Sequence, residues 1–363
     1  MSALRDIRLW AVLALLLGLA GCILGARGNF SGLLAAWLAT CIFWLGVPLG
    51  AVTLLLVQDL TGGRWMGGAR PALEAAAIAM PLATLAFLPL VASLPAIYRW
   101  SAGESGLTNH FYLNDGFFAL RYAVDVVLWN ALAAWAVLAP RAGAEGVPRG
   151  LSWVSALGLV LLAFTAAFAT IDWLMSLDPR FWSAVMPMFV SAGWFNTGLA
   201  LVLLTLALAG TLRRDDLADL AAILLATSIF WAYTEFSQFL IIWEENLKSE
   251  IVWYLPRIAG AWATIAALIA VGGFFLPFFV LIWRPSKRSR AVVAVIAAAI
   301  LASRVLDAWW MVLPGLPGRA FGWLDIAAFV ALGGAVVLLF HHRLRHGRLL
   351  PARATPALEA RHG

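Results

Sequence analysis

Arg121 and Asp125 stand four residues apart in a stretch that is otherwise mostly apolar, so on a helix they share one face. Arg304 and Asp307 repeat that arrangement at a spacing of three. Asp172, Glu235 with Gln238, and Asp325 lie in further apolar stretches, and Arg257 stands near the head of another. Ionisable groups are costly in hydrocarbon, so they face a bundle interior and mark proton, ion or ligand pathways. Buried carboxyl groups beside an arginine exchange protons, and such a set also suits a quinone head group. Arg121, Asp125, Asp172, Glu235, Gln238, Arg257, Arg304 and Asp307 are therefore the candidate lining of one polar pocket. The plainer account makes Arg121–Asp125 and Arg304–Asp307 structural ion pairs that tie helices together.

Other chemistries find less support. Cys22 and Cys41 belong to no CxxC pair, so no Fe–S or zinc cysteine framework is written here. The histidines are His110, His341, His342, His346 and His362, one in a loop and four at or after the last apolar run. A membrane b-type haem needs histidines within spans. The expectation is a chain with no redox cofactor of its own, any haem or cluster being carried by partners.

The elements that must position these residues follow from composition. Of 363 residues, 63% are hydrophobic and 12% charged, against roughly 45–50% and about 25% in an ordinary soluble domain. The chain reads as an all-α polytopic membrane protein. Apolar runs cover about 9–26, 33–57, 72–97, 117–139, 151–176, 184–210, 218–243, 254–283, 291–312 and 321–340, each around or beyond the length of about 18 residues that reads as a spanning helix. They make a single transmembrane helical domain, 1–345, followed by a basic tail, 346–363. Turn and charge signals separate the runs, among them Gly62-Gly63-Arg64, Pro140-Arg141, Asp178-Pro179-Arg180 and Pro314-Gly315. Pro81, Pro89 and Pro277 fall inside runs and predict kinks.

Seventeen of the 25 Lys and Arg fall on the side of the two termini, which predicts cytoplasmic termini. The basic balance then reflects membrane topology and lipid contact, with no nucleic-acid partner implied. Leu19-Ala20-Gly21-Cys22 has the form of a lipobox, the alternative being an intact first span. On this topology the candidate pocket residues lie in the non-cytoplasmic half. Most of the 19 tryptophans read as an interfacial belt. Trp231 and Tyr233, deeper and beside Glu235, suit the wall of a ring-shaped ligand as well as they suit helix packing.

A faint internal repeat is present. Arg121 opens span four and Asp172-Trp173-Leu174-Met175 closes span five; Arg257 opens span eight and Asp307-Ala308-Trp309-Trp310-Met311 closes span nine. The pattern predicts two parallel four-helix bundles, spans two to five and six to nine, flanked by spans one and ten.

Several stretches resemble one family. Asp172-Trp173-Leu174-Met175-Ser176-Leu177-Asp178-Pro179, with Phe181-Trp182-Ser183, resembles a signature segment of the F subunit of bacterial alternative complex III. Phe230-Trp231-Ala232-Tyr233 with Phe236-Ser237-Gln238, then Ile242-Trp243 and Asn246-Leu247, resembles a second, and Arg304-Val305-Leu306-Asp307 with the tryptophan pair a third. The order holds over about residues 150–315. The chain departs from the pattern at Lys248-Ser249-Glu250 and at Thr234-Glu235, so Glu235 reads as an addition in this chain. The resemblance implies a membrane subunit of a quinol-oxidising complex, beside an NrfD-like sister subunit that is the better candidate for quinol oxidation. It further implies multihaem cytochrome c and Fe–S, molybdopterin-like peripheral partners, and a part in proton movement and assembly. A secondary transporter with a site among the buried charges, or a purely structural membrane scaffold, are the alternatives.

Overall fold

The computed structural model describes residues 2–62, 65–103, 110–138, 152–316 and 319–346. Gly63 and Arg64, Pro140 and Arg141, and the tail beyond His346 lie outside the described residues. Among the described residues, ten helical segments are long and apolar enough to cross a membrane, and no strand occurs. The protein is an all-α polytopic membrane protein.

Span one is α1, Ser2–Gly28, continuous through Cys22. Asn29 ends it and caps α2, Phe30–Thr61, its side-chain oxygen accepting from Gly32 N. Span three is broken into α3 (Arg70–Ala77), α4 (Met80–Leu85) and α5 (Leu88–Val91), closing with a 3-10 turn at Leu94–Ala96. Pro81 and Pro89 open new pieces, a stronger effect than the expected kink. Neighbours take up the freed carbonyls. Leu90 N bonds Phe87 O, so Ala86 O accepts from Trp37 Nε1 at 2.7 Å and from Cys41 Sγ at 3.6 Å. Tyr122 Oη donates to Thr84 O at 2.8 Å. A broken helix survives at membrane depth only with this kind of cover.

Spans four to seven are α6 (Asp115–Leu138), α7 (Ser152–Trp173), α8 (Met186–Ala209) and α9 (Arg214–Glu245). A short α10, Lys248–Ile251, leads into a run of turns. Span eight starts only at α11 (Ala261–Ala270), later than its apolar run, because Pro256 and Gly260, at φ +55°, break the helix before it. It continues through a π-helical turn, Val271–Phe275, into α12, Leu276–Leu281. After α13 (Arg284–Lys287) come span nine, α14 (Arg290–Val312), and span ten, α15 (Trp323–His346).

Packing repeats in the two halves. In the first, α2 packs on the pieces of span three and on α7, and α6 packs on α7. In the second, α8 packs on α9 and α14, and α11 packs on α14. The halves meet where α2 crosses α8, and each lends its last helix to the other: α7 lies on α8, and α14 lies on α2. With lipid tails as apolar as leucine, this association depends on close packing. Gly50 and Gly198 permit the crossing. A Cβ at Gly50 would lie 2.6 Å from Trp194 O, and one at Gly198 would lie 2.9 Å from Ala51 N. As a result α2 is buried from Gly32 to Leu56 apart from Trp37 and Thr53. Spans one and ten pair outside the repeat through small residues, Gly18 facing Ala331 and Gly334 facing Leu15.

Candidate functional site

The charged residues gather in two clusters rather than one pocket. The first joins α6 and α7. Arg121 Nε and Nη2 donate to Asp172 Oδ2 and Oδ1 at 2.8 and 2.7 Å, and Nη1 donates to Tyr112 O at 3.0 Å. The guanidinium lies 3.8 Å from the Tyr112 ring centroid and 4.5 Å from that of Phe117. Every arm of the fork is therefore engaged, in the bidentate geometry that suits a carboxylate best. The partner is Asp172 on the next helix and not Asp125 on the same one, which corrects the pairing expected from spacing. Asp125 is buried one turn along α6. Trp173, after Asp172, packs on Phe87 and Phe118 at 4.6 and 4.9 Å. The Arg121 and Asp172 side chains are 11% and 3% exposed.

The second cluster lies between α9, the turns before α11, the π-helical turn and α14. Arg304 Nη1 donates to Asp307 Oδ2 at 2.9 Å, the same-helix pair that the spacing predicts. The Arg304 guanidinium stacks on Trp231, 3.7 Å from its ring centroid. Two glycines make room for it. A Cβ at Gly273 would lie 2.7 Å from Arg304 Nη2 and from Ser303 Oγ, and one at Gly193 would lie 3.3 Å from Arg304 Nη1. The π-helical turn carries Gly273 to this contact. Single π turns within α-helices often mark functional sites.

A cavity of about 540 Å³ opens beside this cluster. Glu235 and Asp307 supply its carboxyl groups, and Trp231, Tyr254, Phe274 and Trp310 are among its aromatic walls. Arg121, Asp125 and Asp172 do not line it. Three polar atoms of the cluster are buried without a hydrogen-bond partner: Glu235 Oε2, Trp231 Nε1 and Arg304 Nε.

Arg257 departs from its counterpart in the repeat. Arg121 reaches Asp172, but Arg257 does not reach Asp307. Its Nη1 donates to Trp253 O at 2.6 Å and its Nη2 to Met311 O at 2.5 Å, with Trp253 stacked 3.4 Å away. Trp310 Nε1 returns a bond to Arg257 O at 2.9 Å. Arg257 thus staples the turns before α11 to the end of α14, where free helix carbonyls favour a cation. Gln238 is also committed elsewhere: it accepts from Ser183 Oγ, which in turn accepts from Val185 N and Met186 N at 3.0 Å to hold the start of α8. Asp325 accepts from Arg319 and from Gly322 N, both at 2.8 Å, and fixes the entry to α15.

Sequence reasoning singled out Glu235, Trp231, Tyr233, Arg304 and Asp307, and the structure brings them together. It missed Gly273 and Tyr254. Gly272-Gly273 followed by Pro277 was the available signal for an irregular turn in span eight. Of the tryptophans assigned to the interfacial belt, Trp153, Trp182, Trp243, Trp283 and Trp323 are exposed, whereas Trp100, Trp173, Trp253 and Trp310 are buried. Among the described residues, no group of three or more His, Cys, Asp and Glu is placed to hold a metal ion. No known family model matches the chain, and no curated protein matches it.

Proposed function

We propose that this chain is the membrane subunit, without a redox centre of its own, of a quinol-oxidising respiratory complex of the alternative complex III type. It sits in a bacterial inner membrane with cytoplasmic termini. An NrfD-like sister and peripheral haem and Fe–S chains take the electrons, and this subunit handles protons. The observation that carries the reading is the contrast between the two halves. Arg121 and Asp172 engage each other in a bidentate pair, whereas Glu235 and Asp307 line a cavity in the half of the bundle away from the termini. Two carboxyl groups on facing helices, one held by Arg304, are a short relay for protons released from quinol.

Glu235→Gln and Asp307→Asn, made in a complex purified through a tag on this chain, test the proton role. Each should lower quinol turnover and proton release about tenfold or more, within the range general acid–base groups contribute. Asp178→Asn, on the loop after span five, should leave both unchanged. Normal proton release in fully assembled Glu235→Gln and Asp307→Asn complexes would remove these residues from the path. A secondary transporter is the second reading, favoured by the interruptions of span three and span eight. It predicts solute uptake by proteoliposomes holding this chain alone.

A further inference from the structure

The cavity between α9, α11, the π-helical turn and α14 has the dimensions of a small-molecule site, its volume of about 540 Å³ falling in the usual range of roughly 300–1,000 Å³. What it admits is set by the charge and shape of its wall. Glu235 and Asp307 lie in that wall, and among the described residues no Lys, Arg or His does. The two guanidinium groups nearby are turned to other partners. Arg304 holds Asp307 and stacks on Trp231, and Arg257 binds the carbonyls of Trp253 and Met311. Asp307 therefore has its cation, whereas Glu235 Oε2 is buried with no donor. A carboxyl group so placed is costly until a cation or a donor reaches it.

Much of the remaining wall is aromatic, and its rings stand at angles to one another. Tyr254 meets Phe239 edge-on with centroids 5.4 Å apart, and meets Trp310 at 6.2 Å and 55°. Rings set in this way make the corner of a cage and not a stack. Phe239 is one turn along α9 from Glu235, which puts the carboxyl group beside that corner. Aromatic faces attract cations, most of all where water is excluded. The cluster already uses that attraction once, in Arg304 over Trp231. An anion entering the cavity would meet two carboxyl groups and no basic side chain in the wall. An uncharged apolar body would cover the rings and leave Glu235 Oε2 as it stands. A hydrophobic organic cation answers both features. Access is from the side. Tyr233, Phe236 and Phe275 line the cavity and are also exposed on the outer surface of α9 and the π-helical turn, which faces lipid in a chain of this kind. A cation dissolved in the bilayer can therefore reach the carboxyl group without crossing the bundle.

We propose that this cavity binds a hydrophobic organic cation, an aryl- or alkyl-substituted ammonium or phosphonium, with Glu235 as its counter-ion. The ammonium of a lipid head group brings a phosphate that the two carboxyl groups repel, so the ligand is a free cation. The proposal goes beyond the proton role given above. It is read in binding to this chain, whereas that role is read in turnover of an assembled complex, so each can fail without the other. Where both hold, cation and proton compete for Glu235, and the cation inhibits turnover.

The test is equilibrium binding of tritiated tetraphenylphosphonium to the full chain in phosphatidylethanolamine and phosphatidylglycerol nanodiscs, with empty nanodiscs as the blank. One saturable site is expected. Tetraphenylborate has the same shape and the opposite charge, and should show no saturable site. Triphenylphosphine oxide is uncharged and keeps three of the rings; it should compete about tenfold more weakly than the cation, or worse. Glu235→Gln should weaken phosphonium binding by a similar factor, while Glu235→Asp retains most of it. Phe239→Leu keeps the wall apolar but removes a ring, and should weaken binding several-fold. The three compounds are compared on the unaltered chain, so the charge requirement is decided even where a variant fails to fold. The proposal is overturned if no saturable binding rises above the blank, if the uncharged compound competes as well as the cation, or if folded Glu235→Gln binds as wild type does.

Discussion

Asp172 and Glu235 are both carboxyl groups buried in helices, yet the structure gives them opposite burdens. Asp172 accepts two bonds from Arg121 and leaves little free. Removing one partner of a buried pair strands the other charge, at a cost of about 3–5 kcal/mol. Arg121→Ala and Asp172→Asn should each lower the unfolding midpoint of the detergent-solubilised protein markedly, while a double apolar replacement recovers much of the loss. Glu235 Oε2 has no partner to lose, so Glu235→Gln should leave the midpoint within about 1 kcal/mol of wild type while affecting function. A thermal melt beside a turnover assay separates the two. On the loop after α7, burial opposes ionisation of Asp178, but hydrogen bonds from Arg180 outweigh it and hold the carboxyl below its ordinary value of 3.8. The stability this lends is present above pH 3.8 and fades as pH falls below it. Because the pair is partly solvated it is worth no more than about 1 kcal/mol, and Asp178→Asn should remove that acid dependence from the melt. The identity of these residues was legible in the sequence, because charges stand out in apolar runs. Their partners were not. Helical spacing places Arg121 and Asp125 on one face but says nothing of the Asp172 carboxylate presented by the next helix.

At the scale of elements, the ten spans were readable from apolar length, and their irregularities were not. Proline marked span three, but whether it kinks or breaks a helix depends on who accepts and donates at the gap. Here Trp37, Cys41 and Tyr122 supply the cover. In span eight, the π-helical turn brings Gly273 against Arg304, a tertiary contact with no periodic signature. Gly273→Ala should displace Arg304 from Trp231 and cost about 1–3 kcal/mol, as overpacking of a filled site does. It should also weaken quinol turnover, read in the melt and the assay together. Gly198→Leu is more severe, because its Cβ meets the backbone of α2 and not a movable side chain. Loss of folded protein from the membrane fraction is the expected outcome.

At the scale of the molecule, two halves with repeated helix pairing carry unequal sites. The repeat was visible in the sequence as two arginine-to-aspartate intervals. Its asymmetry was not, because Arg304 has no equivalent in the first half and takes Asp307 from Arg257. In the first half the arginine and the aspartate engage each other, and in the second an aromatic cavity opens beside the pair. The proposed role, a membrane subunit that handles protons beside a sister chain, is built on this asymmetry. The most direct test of that claim is purification of the tagged full chain from its own membranes in mild detergent, with a native gel stained for haem and peptide identification of the band. The account predicts a large haem-positive band containing a second polytopic chain and Fe–S chains. A small, colourless band holding this chain alone, reproduced in gentler detergents with all neighbouring partners expressed, would contradict it.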